Sequence, residues 1–561
     1  MGEIKKEVIE AYALENAIKH EGKANPKAVL AGLFAEGLEK SEIKNYMSKI
    51  NDIVKKVNSQ NLEKQEKQFE KIKELTSKRE IREGLPELPN AEKGKVVTRM
   101  APFPSGPLHI GNARPLVLNH EYSKIYNGKF LLVLDDTIGS EKKMIQPEAY
   151  NLIIEGVKWL GCDYEKVLYK SDRIETYYKY AEELLKKGYM YVCSCEAEEF
   201  RKLKIKKKEC SCRNLSQDVQ LKRWNEMMKP GAIKGSYVVR LKTSMKDTDP
   251  AFRDRVMFKI SDLTHPKLGN KYHVYPTMEF SWAIDNHAFG ITHVLRGIDL
   301  IMETRVENFI RKIFGWKNPE VIYNGFLELE GVKISKSKGA QEVKSGQYKG
   351  WNDPRLWSLQ ALRDRGIKPE AIREFMISQG VKKSNTKVPI DVLYNINKRY
   401  LEDCTKYFFV ESPIKIKING CPMMKAEIQI NNNESRAYET GQEFYIPERD
   451  YEKMQDENYR LTGLLNFKAF TKDRLLNEPE MSFISRNADP SLNIQSINWL
   501  NANGNLAPLE IMMPDGTLKK GYGEGELKKL KEGTIVRFNR FGYCRLHKKQ
   551  KDRLEFWFTQ K

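Results

Sequence analysis

The stretch from Lys95 to Asp136 constrains this chain more than any other. KVVTRM (95–100) reads as a short apolar strand, APFPSGP as a Pro/Gly-rich loop, and Ile110 to about Tyr126 as a helix stopped by Asn127 and Gly128. KFLLVLDD (129–136) follows as a second strand, continuously apolar and so buried on both faces. Strand, loop, helix and strand in so short a span form a βαβ unit, which requires a parallel sheet.

Around that unit the texture changes several times. Residues 1–90 are rich in Glu, Lys, Ala and Leu at helical spacing and end at Pro86 and Pro89. Helical patterns dominate from Tyr150 to Gly188. Residues 190–275 carry a cysteine cluster, a very basic run and strands such as SYVVRLKT (236–243), and look inserted. Strand signals resume at GITHVLRG (290–297) and VIYNGFLELEG (321–331), residues 353–403 are helical, and from about Tyr407 short strands alternate with Gly, Pro and Asn turns. That tail predicts one or two small β-barrels. With 561 residues, three to five domains are expected.

Composition narrows the class. Hydrophobic residues at 40% and charged residues at 31% exclude a fibrous or wholly disordered chain. Lys+Arg of 96 against Asp+Glu of 76 leaves a net charge of +20, which points to a polyanionic partner, with simple solubility as the bland alternative. No apolar run is long enough to span a bilayer, and MGEIKKEVIEAYALENAIKH lacks the apolar core of a signal peptide. Eight cysteines are too few for a disulfide scaffold, so a reducing cytoplasm is expected.

No GxxxxGK[ST] loop is present, and no GxGxxG joins a strand to a helix; GYGEGE (521–526) lies in the β-rich tail, where a turn is expected. Two other segments suit phosphate. SGPLHIGN (105–112) lies where the first strand gives way to its helix, and helix-start N–H groups favour an anion there. His109 and Asn112 add donors and Gly111 leaves room for a flat base; a capping turn with a surface histidine is the competing reading. GVKISKSKG (331–339) alternates Lys333, Lys336 and Lys338 with Ser335 and Ser337, as a loop that neutralises a departing polyphosphate would, or as a solvated basic loop would.

Together, PSGPLHIGN and the later KISKS match the two signatures of class I aminoacyl-tRNA synthetases. TRMAPFPSGPLHIGNARP, NGKFLLVLDDT, ITHVLRGIDL and GVKISKSKG resemble the glutamyl/glutaminyl family, and YFFVESPIKIKING with GTIVRFNRFGYCRL is similar to the β-barrel anticodon-binding region of its archaeal-type glutamyl members. The resemblance spans about residues 95–560. It implies a multidomain α/β plus β architecture: an N-terminal helical extension (1–90), a Rossmann-like catalytic domain in two halves (95–190 and 275–345), an inserted acceptor-end-binding domain (190–275), a helical stem-contact region (346–403) and a β-barrel anticodon-binding region (404–561).

It also implies a reaction. Glutamate and MgATP give glutamyl-adenylate, and the tRNA 3′ end then takes the glutamyl group. Pro107, His109, Gly111, Asn112, Asp299, Lys333, Ser335 and Lys336 would bind ATP, with His109, Asn112, Lys333 and Lys336 carrying the chemistry. Asn112 replaces the second histidine of the signature. For the amino acid, the resemblance implies Arg296 at the side-chain carboxylate with Arg99 nearby, Asp135 at the ammonium group, and Met278 and Trp282 lining the pocket. The pocket departs from the family pattern at Phe103, Val133, Ile138 and Gly139, Met278 and Trp282. A tRNA-binding or regulatory relative, or a synthetase with altered amino-acid specificity, therefore stand as alternatives. The partners implied are tRNA-Glu, with tRNA-Gln left open, and glutamate, no membrane, and a monomeric chain. Cys193-x-Cys195 and Cys210-x-Cys212 can close a tetrahedral structural zinc site, as in some family members; four unmetallated thiols are the alternative.

Overall fold

The computed structural model describes residues 4–34, 36, 38, 42–76, 84–138, 143–332, 336–470, 480–487 and 494–561. The chain divides into two compact units, Met1–Glu83 and Gly84–Lys561. The first holds helices α1 (Lys6–Lys19), α2 (Pro26–Leu33), α3 (Ile43–Asn58) and α4 (Leu62–Ile72). Ile9, Ala13 and Ala17 recur every fourth residue, one face of α1, and pack with Ile50, Ile53, Val54 and Val57 of α3. Asn25 and Asn61 cap α2 and α4 by accepting the backbone N–H of Lys27 and Lys64.

The second unit begins with the expected βαβ unit: β1 (Val97–Met100), α5 (Ile110–Ile125) and β2 (Lys129–Leu134), followed by α6 (Pro147–Trp159), β3 (Val167–Tyr169) and α7 (Ile174–Lys186). β1, β2 and β3 are parallel, with β2 in the middle. Next comes an antiparallel sheet in the order β4 (Met190–Cys193), β5 (Val238–Leu241), β6 (Val256–Ile260) and β7 (Val274–Pro276), with α8 (Ala197–Ile205) and α9 (Gln217–Met228) between β4 and β5. The chain then resumes the parallel pattern through α10 (Met278–Ala288), β8 (His293–Gly297), α11 (Ile301–Phe314) and β9 (Glu320–Asn324). β8 and β9 are parallel. Thr292, just ahead of β8, donates its N–H to Val97 O at 3.0 Å and accepts the Val97 N–H at 2.8 Å. This joins the two parallel sheets in the order β3-β2-β1-β8-β9. The strand order reverses between β1 and β8, the crevice in which open α/β sheets bind ligands.

β10 (Leu327–Glu330) leads to α12 (Lys336–Lys344) and pairs with β11 (Thr386–Pro389). α13 (Leu359–Arg365), α14 (Pro369–Gln379) and α15 (Ile390–Arg399) supply the helical region. Leu359, Leu362, Ile372 and Phe375 share one core with Leu116 and Val117 of α5 and Ile153 and Val157 of α6, so this region packs directly behind the signature helix.

The tail forms two seven-stranded sheets. One contains strands from residues 406–411 and 506–560; the other lies between them in sequence, from Pro413 to Asn501, as an excursion from the first. Their separate cores contain Phe538, Leu546 and Phe556, and Phe444, Phe467 and Trp499 respectively. GYGEGE is mostly strand rather than turn, since Leu518–Glu524 pairs with both neighbours. The glycines serve close approach: a Cβ on Gly521 would lie 2.0 Å from Val410 O, and one on Gly523 2.6 Å from Leu509 and Leu527 side chains.

Candidate active site

The loop after β1 is fixed from both ends. Ile110 N–H donates to Trp357 O at 3.0 Å, and Leu359 N–H donates to Leu108 O at 2.8 Å. Gly106 has φ +151°, and a Cβ there would touch the Trp351 ring at 3.0 Å, so glycine is needed. His109 is the N-cap of α5: its Nδ1 accepts the Gly111 N–H at 3.0 Å, while Asn112 Oδ1 accepts the His109 N–H at 3.2 Å. A histidine and an asparagine thus close a capping box. Pro107 is buried and His109, Gly111 and Asn112 are half-buried. Helix start and side chains converge as an anion site requires, with His109 Nδ1 and Asn112 Oδ1 serving as the acceptors of the cap.

Asp299 is exposed on the half-buried segment after β8. Its Oδ1 stands 2.1 Å from where a Cβ on Gly297 would be, so the glycine lets the carboxylate fold back over the strand end. Lys333 and Ser335 lie outside the described residues, and Lys336 opens α12.

Ends of β1, β2 and β8 bring the expected amino-acid residues together, in a buried network. Arg99 donates from Nε to Asn286 Oδ1 at 2.6 Å, and its guanidinium lies 3.3 Å from the Trp282 ring centroid. Among the described residues its buried Nη2 has no hydrogen-bond partner. Burial, and then the Arg296 charge, push Arg99 down to about 9. An arriving carboxylate would relieve both effects.

Arg296 is already committed. Its Nη1 donates to Glu307 Oε1 at 2.7 Å and to Thr304 Oγ1 at 3.0 Å. Glu307 also meets Arg311 at 3.6 Å and Asn286 at 3.4 Å. Arg296 thus pairs with Glu307, and not with Asp299 three residues on or with Asp285. Asp285 instead accepts from Arg173 at 2.6 Å and Tyr177 at 2.5 Å.

Asp135, expected at the substrate ammonium group, already has two partners on Oδ2. Trp282 Nε1 donates to it at 3.0 Å, and Lys170 Nζ lies 3.1 Å away. Lys170 was not marked by the sequence pattern. It is fully buried, donates to Ser281 Oγ at 2.7 Å and lies 3.6 Å from the Trp282 ring centroid. The adjacent Ser171 is pinned by Asp136, which accepts from its N–H at 2.9 Å and its Oγ at 2.7 Å.

The remaining pocket departures pack apolar surface. Met278 and Val133 lie with Leu131 and Trp282 in one small cluster. Phe103 packs on the core behind α5, with Lys143 Nζ 4.9 Å from its ring centroid, and Ile138 on the core of the inserted sheet. Gly139 lies outside the described residues.

In the inserted region, Cys193, Cys195, Cys210 and Cys212 place their sulfurs within 4.8 Å of one another. The Cys193–Cys210 and Cys195–Cys212 separations are 4.0 and 3.9 Å. Four sulfurs about 2.3 Å from a tetrahedral zinc stand about 3.8 Å apart, so the set fits that ion. Hydrogen bonding from the neighbouring thiols, against the opposing effect of burial, holds Cys210 down at about 5, where it is a ready thiolate ligand.

Comparison with known proteins accords with this geometry. Residues 95–403 match the family model for the catalytic domain of class I tRNA synthetases (E and Q), and residues 404–481 the model for their anti-codon binding domain. A protein from Pyrococcus abyssi named Glutamate--tRNA ligase is 39% identical over 555 residues, 96% of each chain. Proteins of the same name from Pyrococcus furiosus and Methanocaldococcus jannaschii are each 39% identical, over 97% of this chain and 97% and 98% of their own. No helix among the described residues is long and apolar enough to cross a membrane.

Proposed function

The chain belongs to the class I tRNA synthetases of the glutamate and glutamine family, and from that premise we propose that it ligates glutamate to tRNA at the expense of ATP. The observation that carries this reading is 39% identity over nearly the full length to a glutamate–tRNA ligase, in a chain whose β1 and β8 bring Arg99 and Arg296 together with Asp135, just after β2, in a buried network.

ATP, with its Mg²⁺, lies over the start of α5 in this reading. The N–H groups of its first turn, with His109 Nε2 and Asn112 Nδ2, donate to phosphate oxygens, and Pro107 and Gly111 shape the approach. Asp299 accepts from the ribose. Lys333, Ser335 and Lys336 would offset charge that grows on the leaving pyrophosphate. Such transfers need positioning and charge stabilisation more than covalent help from the protein.

Glutamate enters with its side-chain carboxylate toward Arg99, whose buried Nη2 has no other partner. Arg296 acts from behind, its charge shared with Glu307. Met278 and Trp282 keep the pocket dry, which strengthens a guanidinium–carboxylate pair. Asp135 faces the ammonium group. The glutamate α-carboxylate attacks the α-phosphate, pyrophosphate leaves, and the tRNA 3′-terminal hydroxyl then displaces AMP from the adenylate.

Residues 404–561 bind the anticodon arm and the inserted domain receives the acceptor end, with the excess positive charge drawing in the polyanion. Zinc on Cys193, Cys195, Cys210 and Cys212 would be a structural clamp, since four thiolates leave it no open position for chemistry. The chain acts as a monomer in the cytoplasm on this reading. Charging purified tRNA pools with a panel of amino acids tests it. Glutamate should be the amino acid transferred; preferential transfer of another would refute the assignment.

A further inference from the structure

A lysine ammonium group already occupies the carboxylate that should meet the substrate's ammonium group. Lys170 is fully buried, and burial pushes it down from the usual lysine range, with Asp135 the strongest opposing influence. A buried ammonium persists only where its charge is paired and its donors are used. Lys170 meets both demands here: Asp135 Oδ2 at 3.1 Å, Ser281 Oγ at 2.7 Å and the Trp282 ring at 3.6 Å. Trp282 closes the arrangement by donating its indole N–H to the same oxygen at 3.0 Å and lying against Arg99 on the ring at 3.3 Å.

Two consequences follow from charge alone. An amino acid arriving at Asp135 meets a carboxylate whose charge is already offset. If its ammonium group takes the other oxygen, Oδ1, two cations share one carboxylate and repel each other at short range. If it takes Oδ2, Lys170 must yield, and Asp285 is the other carboxylate whose field it feels.

We propose that Lys170 is an internal substitute for the substrate's ammonium group, so that this pocket selects glutamate by its carboxylates and draws little affinity from the α-ammonium group. Lys170 is a specificity-determining residue in this role: it acts through Asp135 and weakens glutamate binding. The inference rests on the reading of Asp135 as the carboxylate that faces the amino acid, and so on glutamate activation itself.

The test compares glutamate with glutarate, the same dicarboxylate without the ammonium group. Dissociation constants are measured by calorimetry on the full-length chain with tRNA bound. In the wild type, glutarate should bind within about tenfold of glutamate, because a charge-assisted hydrogen bond of full strength corresponds to about tenfold or more. In Lys170→Gln, glutamate should bind about tenfold tighter and glutarate weaker, with the KM for glutamate falling and the KM for ATP unmoved. A wild type that binds glutarate more than tenfold worse than glutamate overturns the proposal, as does a variant in which the glutamate-to-glutarate ratio stays where it was. If Lys170→Gln does not fold, the wild-type comparison decides alone. A wild type that charges no glutamate defeats the reading of the reaction instead, and charging is scored separately.

Discussion

Arg99→Gln is the sharpest perturbation of the pocket. Four charged neighbours act on Arg99, two cations (Arg296, Arg311) and two carboxylates (Glu307, Asp135), and these cancel in sign. Lys170 adds a further positive charge. Arg99 is thus a buried cation whose own charge has no counterion, and its Nη2 lacks even a neutral acceptor. A glutamate side-chain carboxylate supplies both. Losing one partner of a buried, hydrogen-bonded charge pair costs about 3–5 kcal/mol. At about 1.4 kcal/mol per factor of ten, glutamate should be required at a concentration higher by roughly two to three and a half orders of magnitude. Steady-state charging with glutamate and ATP varied separately measures this, and the KM for ATP should stay within about threefold. Arg296→Gln is the contrast. Because Glu307 keeps Arg311 and Asn286, the loss is one charge-assisted hydrogen bond, about 1.5–3 kcal/mol, and should appear chiefly as lost stability in thermal unfolding. An unchanged glutamate requirement in Arg99→Gln would refute the reasoning, and so would an Arg296→Gln enzyme that is fully stable but defective only for glutamate.

Three further predictions address other parts of the molecule. Lys336→Ala should slow single-turnover activation about 10²–10³-fold, the scale of one electrostatic donor at a transition state, while tRNA affinity changes little; near-normal activation would remove Lys336 from the chemistry. The affinity for tRNA should fall linearly with salt on a log–log plot, because phosphate contacts release counterions, and a salt-independent constant would show that the +20 charge plays no part. Purified protein should carry zinc in stoichiometric amount and lose it in Cys212→Ser, as read by metal analysis, with no zinc in the wild type counting against the cluster as a metal site.

Much of the α/β domain was legible because its strands are continuous apolar runs, and Phe130 to Leu134 are buried as such a run predicts. β3 is three half-buried residues among helices, Val167–Tyr169, and has no such signature. The four cysteines were legible because two short pairs with a spacer leave few other geometries. GYGEGE misled because glycine serves two needs: it frees a turn, and it lets strands and side chains approach, which is its use at Gly521 and Gly523. Within the candidate site, the sequence marked Arg99, Asp135 and Arg296, which the fold brings together at β1, β2 and β8, but not their pairings. Lys170 meets Ser281 and Trp282 from across more than a hundred residues, and Arg296 finds Glu307 on the following helix only once α11 folds back. No local pattern in YKSDR distinguishes a lysine that will be buried from one that stays in water.

The cap at the start of α5 also settles where a proton sits. A ring nitrogen that accepts a backbone N–H cannot carry a hydrogen itself, so the bond from Gly111 to Nδ1 places the proton of the neutral His109 ring on Nε2. The neutral imidazole therefore carries its one N–H on the nitrogen turned away from the helix start, without first taking up a charge. A doubly protonated ring has no acceptor left for Gly111, so the helix start selects one tautomer before any nucleotide arrives, and the same bond that begins the helix orients the ring for its ligand.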